Sequence, residues 1–215
     1  LKIAPVGVAG CIAVGLANGA VSTLAPVYAH DHHLTKGLLA LFMNAFTLGG
    51  ALIQMPVGRL SDRMDRRHII LAVSLAAACV GLALAALGKR SQTWAIVIVG
   101  IFGMTALPMY GLSVAHTNDR LPREMFVEAS ATLLLINAIA AAIGPILAAL
   151  VTDRMGIAWL FVYTAAIHVL LAGFVLVRLA VKATPPEELR EPFEPMPQAA
   201  SPVALELDPR SPETA

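Results

Sequence analysis

Charge is scarce in this sequence. Only 13% of its 215 residues are Asp, Glu, Lys or Arg, against about a quarter in a soluble domain. That deficit excludes an ordinary soluble protein more firmly than the 58% hydrophobic content does. The formal net charge of +1 offers no basic surface for nucleic acid and no acidic surface for a basic partner. Cysteine is nearly absent. Cys11 and Cys79 both sit inside apolar runs, and no CxxC occurs, so no disulfide framework is expected and both read as small packing residues. Alternation of apolar and polar residues over about ten positions, the mark of a membrane barrel strand, is missing.

What is present is long apolar runs, with a mean hydropathy of +0.76. Six of them, at about 3–29, 37–58, 68–88, 92–115, 126–152 and 157–181, are long enough to cross a bilayer. Backbone groups in lipid must be satisfied within the segment, so each is predicted to be a helix. The expected fold is therefore all-α and integral to the membrane, with residues 1–182 forming a six-helix domain. The basic residues of the short loops fall mostly on one side. Lys2, Arg59, Arg63, Arg66, Arg67, Arg120, Arg123, Arg178 and Lys182 lie there, and Lys36, Lys89, Arg90 and Arg154 lie opposite. By the positive-inside rule both termini are expected in the cytoplasm. From residue 183 to 215 the composition shifts. Eight of the 14 prolines and seven acidic residues fall there, which predicts a disordered cytoplasmic tail. The first residue is Leu1 and not Met, which suggests a processed chain or a piece of a longer one.

A weak internal repeat is visible. Leu60-Ser61-Asp62-Arg63-Met64 follows the second run, and Val151-Thr152-Asp153-Arg154-Met155 follows the fifth. Pro26-Val27-Tyr28 and Pro108-Met109-Tyr110 form a second pair at a different offset. A three-helix unit repeated once would place its second copy upside down in the membrane, the inverted-repeat plan of many transporters.

The most specific segment is Gly58-Arg59-Leu60-Ser61-Asp62-Arg63-Met64-Asp65-Arg66-Arg67. It resembles the G-x-x-x-D-R-x-G-R-R loop that joins the second and third helices of each half of the major facilitator superfamily. Gly58, Asp62, Arg63, Arg66 and Arg67 match, and Asp65 stands where the family usually has glycine. Asp65 would tolerate a left-handed turn better than most residues. Gly15-Leu16-Ala17-Asn18-Gly19, Gly49 to Gly58, Phe126-Val127-Glu128-Ala129-Ser130 and Glu191-Pro192-Phe193 are similar to the YcaD-like branch of that superfamily. The resemblance covers nearly the whole chain and implies the C-terminal six-helix half of a secondary transporter. That implies a small-molecule substrate, a lipid bilayer and an N-terminal six-helix half as partners, with no cofactor, in a bacterial inner membrane. It also implies that the signature loop acts as a latch between halves, and an arginine can serve several acceptors at once.

Polar side chains inside spans usually face a bundle interior or a cavity. In the family the first and fourth helices of a half line the substrate path. Asn18, Ser22, Thr105, Met109, Tyr110 and Ser113 become the candidate path residues. Interhelical hydrogen bonding would explain any one of them as well. Asn44, Thr47 and Gln54 share a face of the second helix. Gly15-x-x-x-Gly19 allows close helix approach, and Gly144-Pro145 suggests a kink. Glu128, in the first turn of the fifth helix, either pairs with Arg66 and Arg67 or suits the helix dipole. His168 is the one ionisable group near a midplane, and a structural role is favoured over a proton relay. His30, Asp31, His32 and His33 hold metal-ligating groups, but the spacing fits no structural site and no metal is expected.

Two other function classes are worth weighing. Gly111-Leu112-Ser113 on the fourth span with His168 on the sixth has the outline of a rhomboid-like serine protease. A nucleophile needs its base within hydrogen-bond reach, and these two lie at different depths. A stand-alone six-helix homodimeric transporter or channel needs no partner half, but nothing resembles a selectivity filter.

Overall fold

The computed structural model describes residues 4–181. The predicted tail from 183, together with residues 1–3 and Lys182, lies outside the described residues. Apolar runs of bilayer length leave the backbone no partner but itself, and each run is a helix. They are α1 (Pro5–Asp31), α2 (Lys36–Arg63), α3 (Arg66–Leu87), α4 (Gln92–Ala106), α5 (Pro108–Asn118), α6 (Phe126–Met155) and α7 (Trp159–Val181). Six spans result, because α4 and α5 together form the fourth, Gln92–Asn118. Pro108 has no N–H to give to the ladder, so the run read as one rod at 92–115 is divided before it. The Leu107 N–H still reaches the Gly103 carbonyl at 3.1 Å, which carries the axis across the division.

Local chemistry sets the helix ends. Pro5 opens α1, where a missing N–H costs nothing. The side chains of Thr35, Asp65 and Ser91 accept from the first-turn N–H groups of α2, α3 and α4. Gly156 ends α6 with φ at 92°, a conformation that other residues adopt only under strain.

The packing is symmetrical under exchange of the first three spans for the last three. α1 packs on α6, and α4 packs correspondingly on α2, while α3 and α7 pack on each other. Three spans carry the chain to the opposite side, so the second unit is inverted. The two Asp-Arg-Met sequences close α2 and α6, equivalent spans ending at opposite faces. The Pro26 and Pro108 pair is not equivalent, since one lies near the end of α1 and the other at the middle of the fourth span.

Glycines set the crossings. A Cβ at Gly19 would stand 2.5 Å from the Ala141 carbonyl oxygen, and one at Gly144 would enter the backbone of Leu16. Gly49 against Gly100, and Gly103 against Phe46, repeat the arrangement between α2 and α4. The first and fourth spans become the centre, with 56% and 61% of their apolar windows buried, while the second and fifth are edges at 22% each. Two cores fill the centre. One gathers Tyr28, Phe42, Phe102 and Phe161. The other gathers Cys11, Ile70, Tyr110 and Leu112.

Candidate functional site

The α2–α3 turn carries the signature residues, and the structure shows what each does. Two arginines open α3, at the end where a helix dipole repels cations. Three carboxylates offset that placement. Arg66 is 1% exposed. Its Nε donates to Asp119 Oδ2 at 2.8 Å, one terminal nitrogen lies 3.0 Å from Asp62 Oδ1, and the other donates to Ser61 Oγ at 2.8 Å. Ser61 in turn donates to the Gly58 carbonyl at 2.8 Å. One guanidinium thus ties the end of α2 to the end of α5 through bonds of the stronger, charge-assisted kind.

Arg67 closes on Asp65, with nitrogen–oxygen distances of 2.7 to 3.2 Å, and reaches the Arg178 carbonyl of α7 at 3.4 Å. Asp65 does not adopt the left-handed turn allowed for it. Its φ of −62° and ψ of 116° are extended, and its carboxylate caps α3 by accepting the Arg67 N–H at 3.0 Å. The residue that departs from the family pattern therefore serves as N-cap and counter-ion together.

Arg120 lies beside this cluster and donates to His116 Nδ1 at 3.0 Å and to the His116 carbonyl at 3.1 Å. An arginine can only donate, so Nδ1 is an acceptor and the His116 ring is held neutral. Burial and the adjacent Arg67 push Arg120 below the usual arginine range, while Asp65 and Asp119 oppose them. Arg63 is exposed at the last turn of α2. Asp62 keeps 30% of its side chain exposed, so it faces both Arg66 and the surroundings.

Glu128 does not join these groups. The ion pairs of Arg66 and Arg67 run to Asp62, Asp119 and Asp65 instead. Glu128 is exposed and walls a cavity of about 130 Å³ with Val8, Thr117 and Thr132. Asp119 is the participant that sequence reading missed. It stands 53 positions from Arg66, and only its place at the end of a span beside Arg120 hinted at a role.

A family profile, that of the Major Facilitator Superfamily, matches residues 8–210. The chain belongs to the Major Facilitator Superfamily. An MFS-type transporter of Enterobacter sp. (strain 638) is 26% identical over 185 residues, covering 86% of this chain and 47% of that protein. One from Yersinia enterocolitica is 25% identical over 192 residues, 89% of this chain and 47% of its own length. The MFS-type transporter YcaD of Shigella flexneri is 26% identical over 167 residues, 78% and 42% respectively. The chain spans about half the length of the curated relatives it matches. Membership of this transporter family sets aside the protease reading. The side chains agree, since Ser113 donates to the Met109 carbonyl at 2.7 Å and His168 to the Thr164 carbonyl at 2.7 Å.

The six path candidates divide sharply by exposure. Ser22 is exposed and Thr105 half-buried, with the Thr105 hydroxyl donating to the Phe102 carbonyl at 2.8 Å. Asn18, Met109, Tyr110 and Ser113 are enclosed within the bundle. Every residue of α5 from Pro108 to Asn118 is buried, so a shared stripe on it cannot mark an open face. Its hydroxyls serve the helix, with Thr117 bonded to the Ser113 carbonyl at 2.9 Å. Asn44 and Thr47 of α2 are exposed, like Ser22. His30, Asp31, His32 and His33 form no group able to hold a metal among the described residues.

Proposed function

We propose that this six-helix bundle is the C-terminal half of a secondary transporter that moves a small solute by alternating access. One observation carries the reading: the edge spans. The second and fifth spans bury only 22% of their apolar windows and present Leu48, Leu52, Leu135 and Ile146 outward. The central spans leave Ser22 exposed and Thr105 half-buried. A second six-helix half packed against the first and fourth spans would leave those hydroxyls along a central path. The coverage of about half of each curated relative is in keeping with this.

On this reading the arginine end faces the cytoplasm of a bacterial inner membrane, and both termini lie there, as the loop charges direct. Asp62, already paired on one side with Arg66, offers its exposed edge to the other half and acts as the latch of the outward-facing state. Rigid-body rocking breaks that contact and leaves the internal Arg66–Asp119 pair intact.

The test uses the native full-length protein. An immunoblot of source membranes should show a band near twice the 22.5 kDa of this chain. A band at 22.5 kDa would instead favour a stand-alone homodimer. In the full-length protein, Ser22→Cys should be labelled by an impermeant maleimide from outside, and adding Asp62→Asn should reduce that labelling. Unchanged labelling would remove the latch.

A further inference from the structure

The end of the bundle opposite the arginines holds polar groups whose hydrogen bonds are incomplete. His32 follows the last turn of α1, and its side chain is 7% exposed. Its Nδ1 lies 2.9 Å from the Tyr28 carbonyl oxygen, which can only accept, so Nδ1 carries the proton. The ring stacks on Tyr28 with centroids 3.8 Å apart. Its Nε2 is buried with no hydrogen-bond partner among the described residues, and so is the Tyr28 hydroxyl. Such groups are costly to leave unpaired.

A cavity of about 220 Å³ adjoins them, walled by Asp31, His32, His33, Gly88, Lys89 and Gln92. Two contacts span it. Lys89 lies 3.9 Å from Asp31, and the Gln92 side chain donates to the His33 carbonyl at 3.2 Å. They join the α1–α2 turn to the α3–α4 turn. Neither is strong. Lys89 and Asp31 are both more than half exposed, and solvent screening leaves such pairs little strength.

We propose that the α1–α2 turn is a proton-operated clasp: with His32 neutral it holds the end of α1 against the α3–α4 turn, and protonation of His32 releases it into the adjoining cavity. An imidazolium needs a second acceptor at Nε2, and the stacked position supplies none among the described residues. Rotation into the cavity hydrates the ring and keeps it beside Asp31, already 3.7 Å away. Asp31 then turns from Lys89 to His32, and the Tyr28 hydroxyl gains water. The charged groups facing His32 are Asp31 on its own helix, Lys89 from the α3–α4 turn and His33 from the next position. Burial pushes His32 below the usual histidine range, with Lys89 and His33 acting in the same sense and the Tyr28 carbonyl and Asp31 against it. A depressed histidine stabilises the packed form above its ordinary pKa of about 6.5, and that contribution is lost as the pH falls through the lower folded value. On the transporter reading proposed above this end faces outside, so external acid loosens the outer end of a path-lining helix; the clasp itself does not depend on that reading.

The experiment uses the full chain in nanodiscs, with Cys79→Ser and spin labels at Lys36→Cys and Arg90→Cys. Pulsed EPR at about pH 7.5 and about pH 5 brackets the histidine range. The distance distribution should move to longer values in acid. In His32→Asn, whose amide still donates to the Tyr28 carbonyl but cannot titrate, it should stay short at both. A ¹⁵N-histidine NMR titration of the parent chain should place the His32 midpoint at the pH of the distance change. A distance that ignores pH, a response that persists in His32→Asn, or midpoints that do not coincide overturns the clasp. Should His32→Asn fail to fold, coincidence of the two midpoints in the parent decides.

Discussion

The two ends of this bundle solve the same problem with different chemistry. Each must hold a short turn between helices against the neighbouring spans. At the arginine end, a fully buried guanidinium reaches Asp62, Asp119 and Ser61 together. At the histidine end, one long exposed ion pair and one hydrogen bond from a side-chain amide join the turns, over an imidazole and a phenol with unmet capacity among the described residues. The first arrangement is short, buried and charge-assisted. The second is weak and poised to titrate. Burial alone does not make a polar site rigid; complete pairing does.

The comparison can be broken most severely at Arg66. Arg66→Met takes the buried guanidinium away from Asp119 and Asp62, and removing one partner of a buried pair costs about 3–5 kcal/mol. Thermal unfolding in detergent should show a large fall in Tm, and an unchanged Tm would mean the cluster is ornamental. Gly88→Ala strikes the other end, since the added Cβ collides with the Tyr28 hydroxyl. Overpacking of this kind costs about 1–3 kcal/mol. Tyr28→Phe should rescue it by removing the oxygen, and lack of rescue would show that the collision is not the cause.

Smaller effects sharpen the contrast. Asp62→Asn should cost about 1 kcal/mol or less, because that carboxylate is partly exposed. Asp119→Asn should cost more, since its carboxylate is buried on Arg66. The reverse order in denaturation midpoints would invert the roles given to the two acids. His33→Gly is the mildest change and should stabilise. His33 sits at φ 53°, just past the end of α1, where left-handed geometry favours glycine. The relief of about 1 kcal/mol is offset in part by glycine's own entropy. A lower Tm in that variant would mean the imidazole itself supports the turn.

Much of this was legible in the residues. The six spans, their order and the signature loop can be read from apolar run length and from Gly58, Asp62, Arg66 and Arg67. The close α1–α6 crossing was foreshadowed by Gly15 and Gly19. The facing of the fourth span was not legible, because α5 is buried on every side and its polar residues follow no single exposed stripe. In the sequence Glu128 reads either as a partner of Arg66 and Arg67 or as a residue suited to the helix dipole, and the buried carboxylate paired with Arg66 is that of Asp119.

The sequence by itself determined that the chain crosses a bilayer six times, because the demand for backbone satisfaction in lipid is local and acts on each run alone; the likeness to this superfamily rests instead on the residues of the signature loop. Only the tertiary structure decided which carboxylate meets Arg66, which hydroxyls stay open and why His32 Nε2 finds no hydrogen-bond partner among the described residues. Those outcomes depend on how helices rotate against one another. In helices that are apolar nearly all round, glycine contacts between distant segments set that rotation, not the pattern along any one of them.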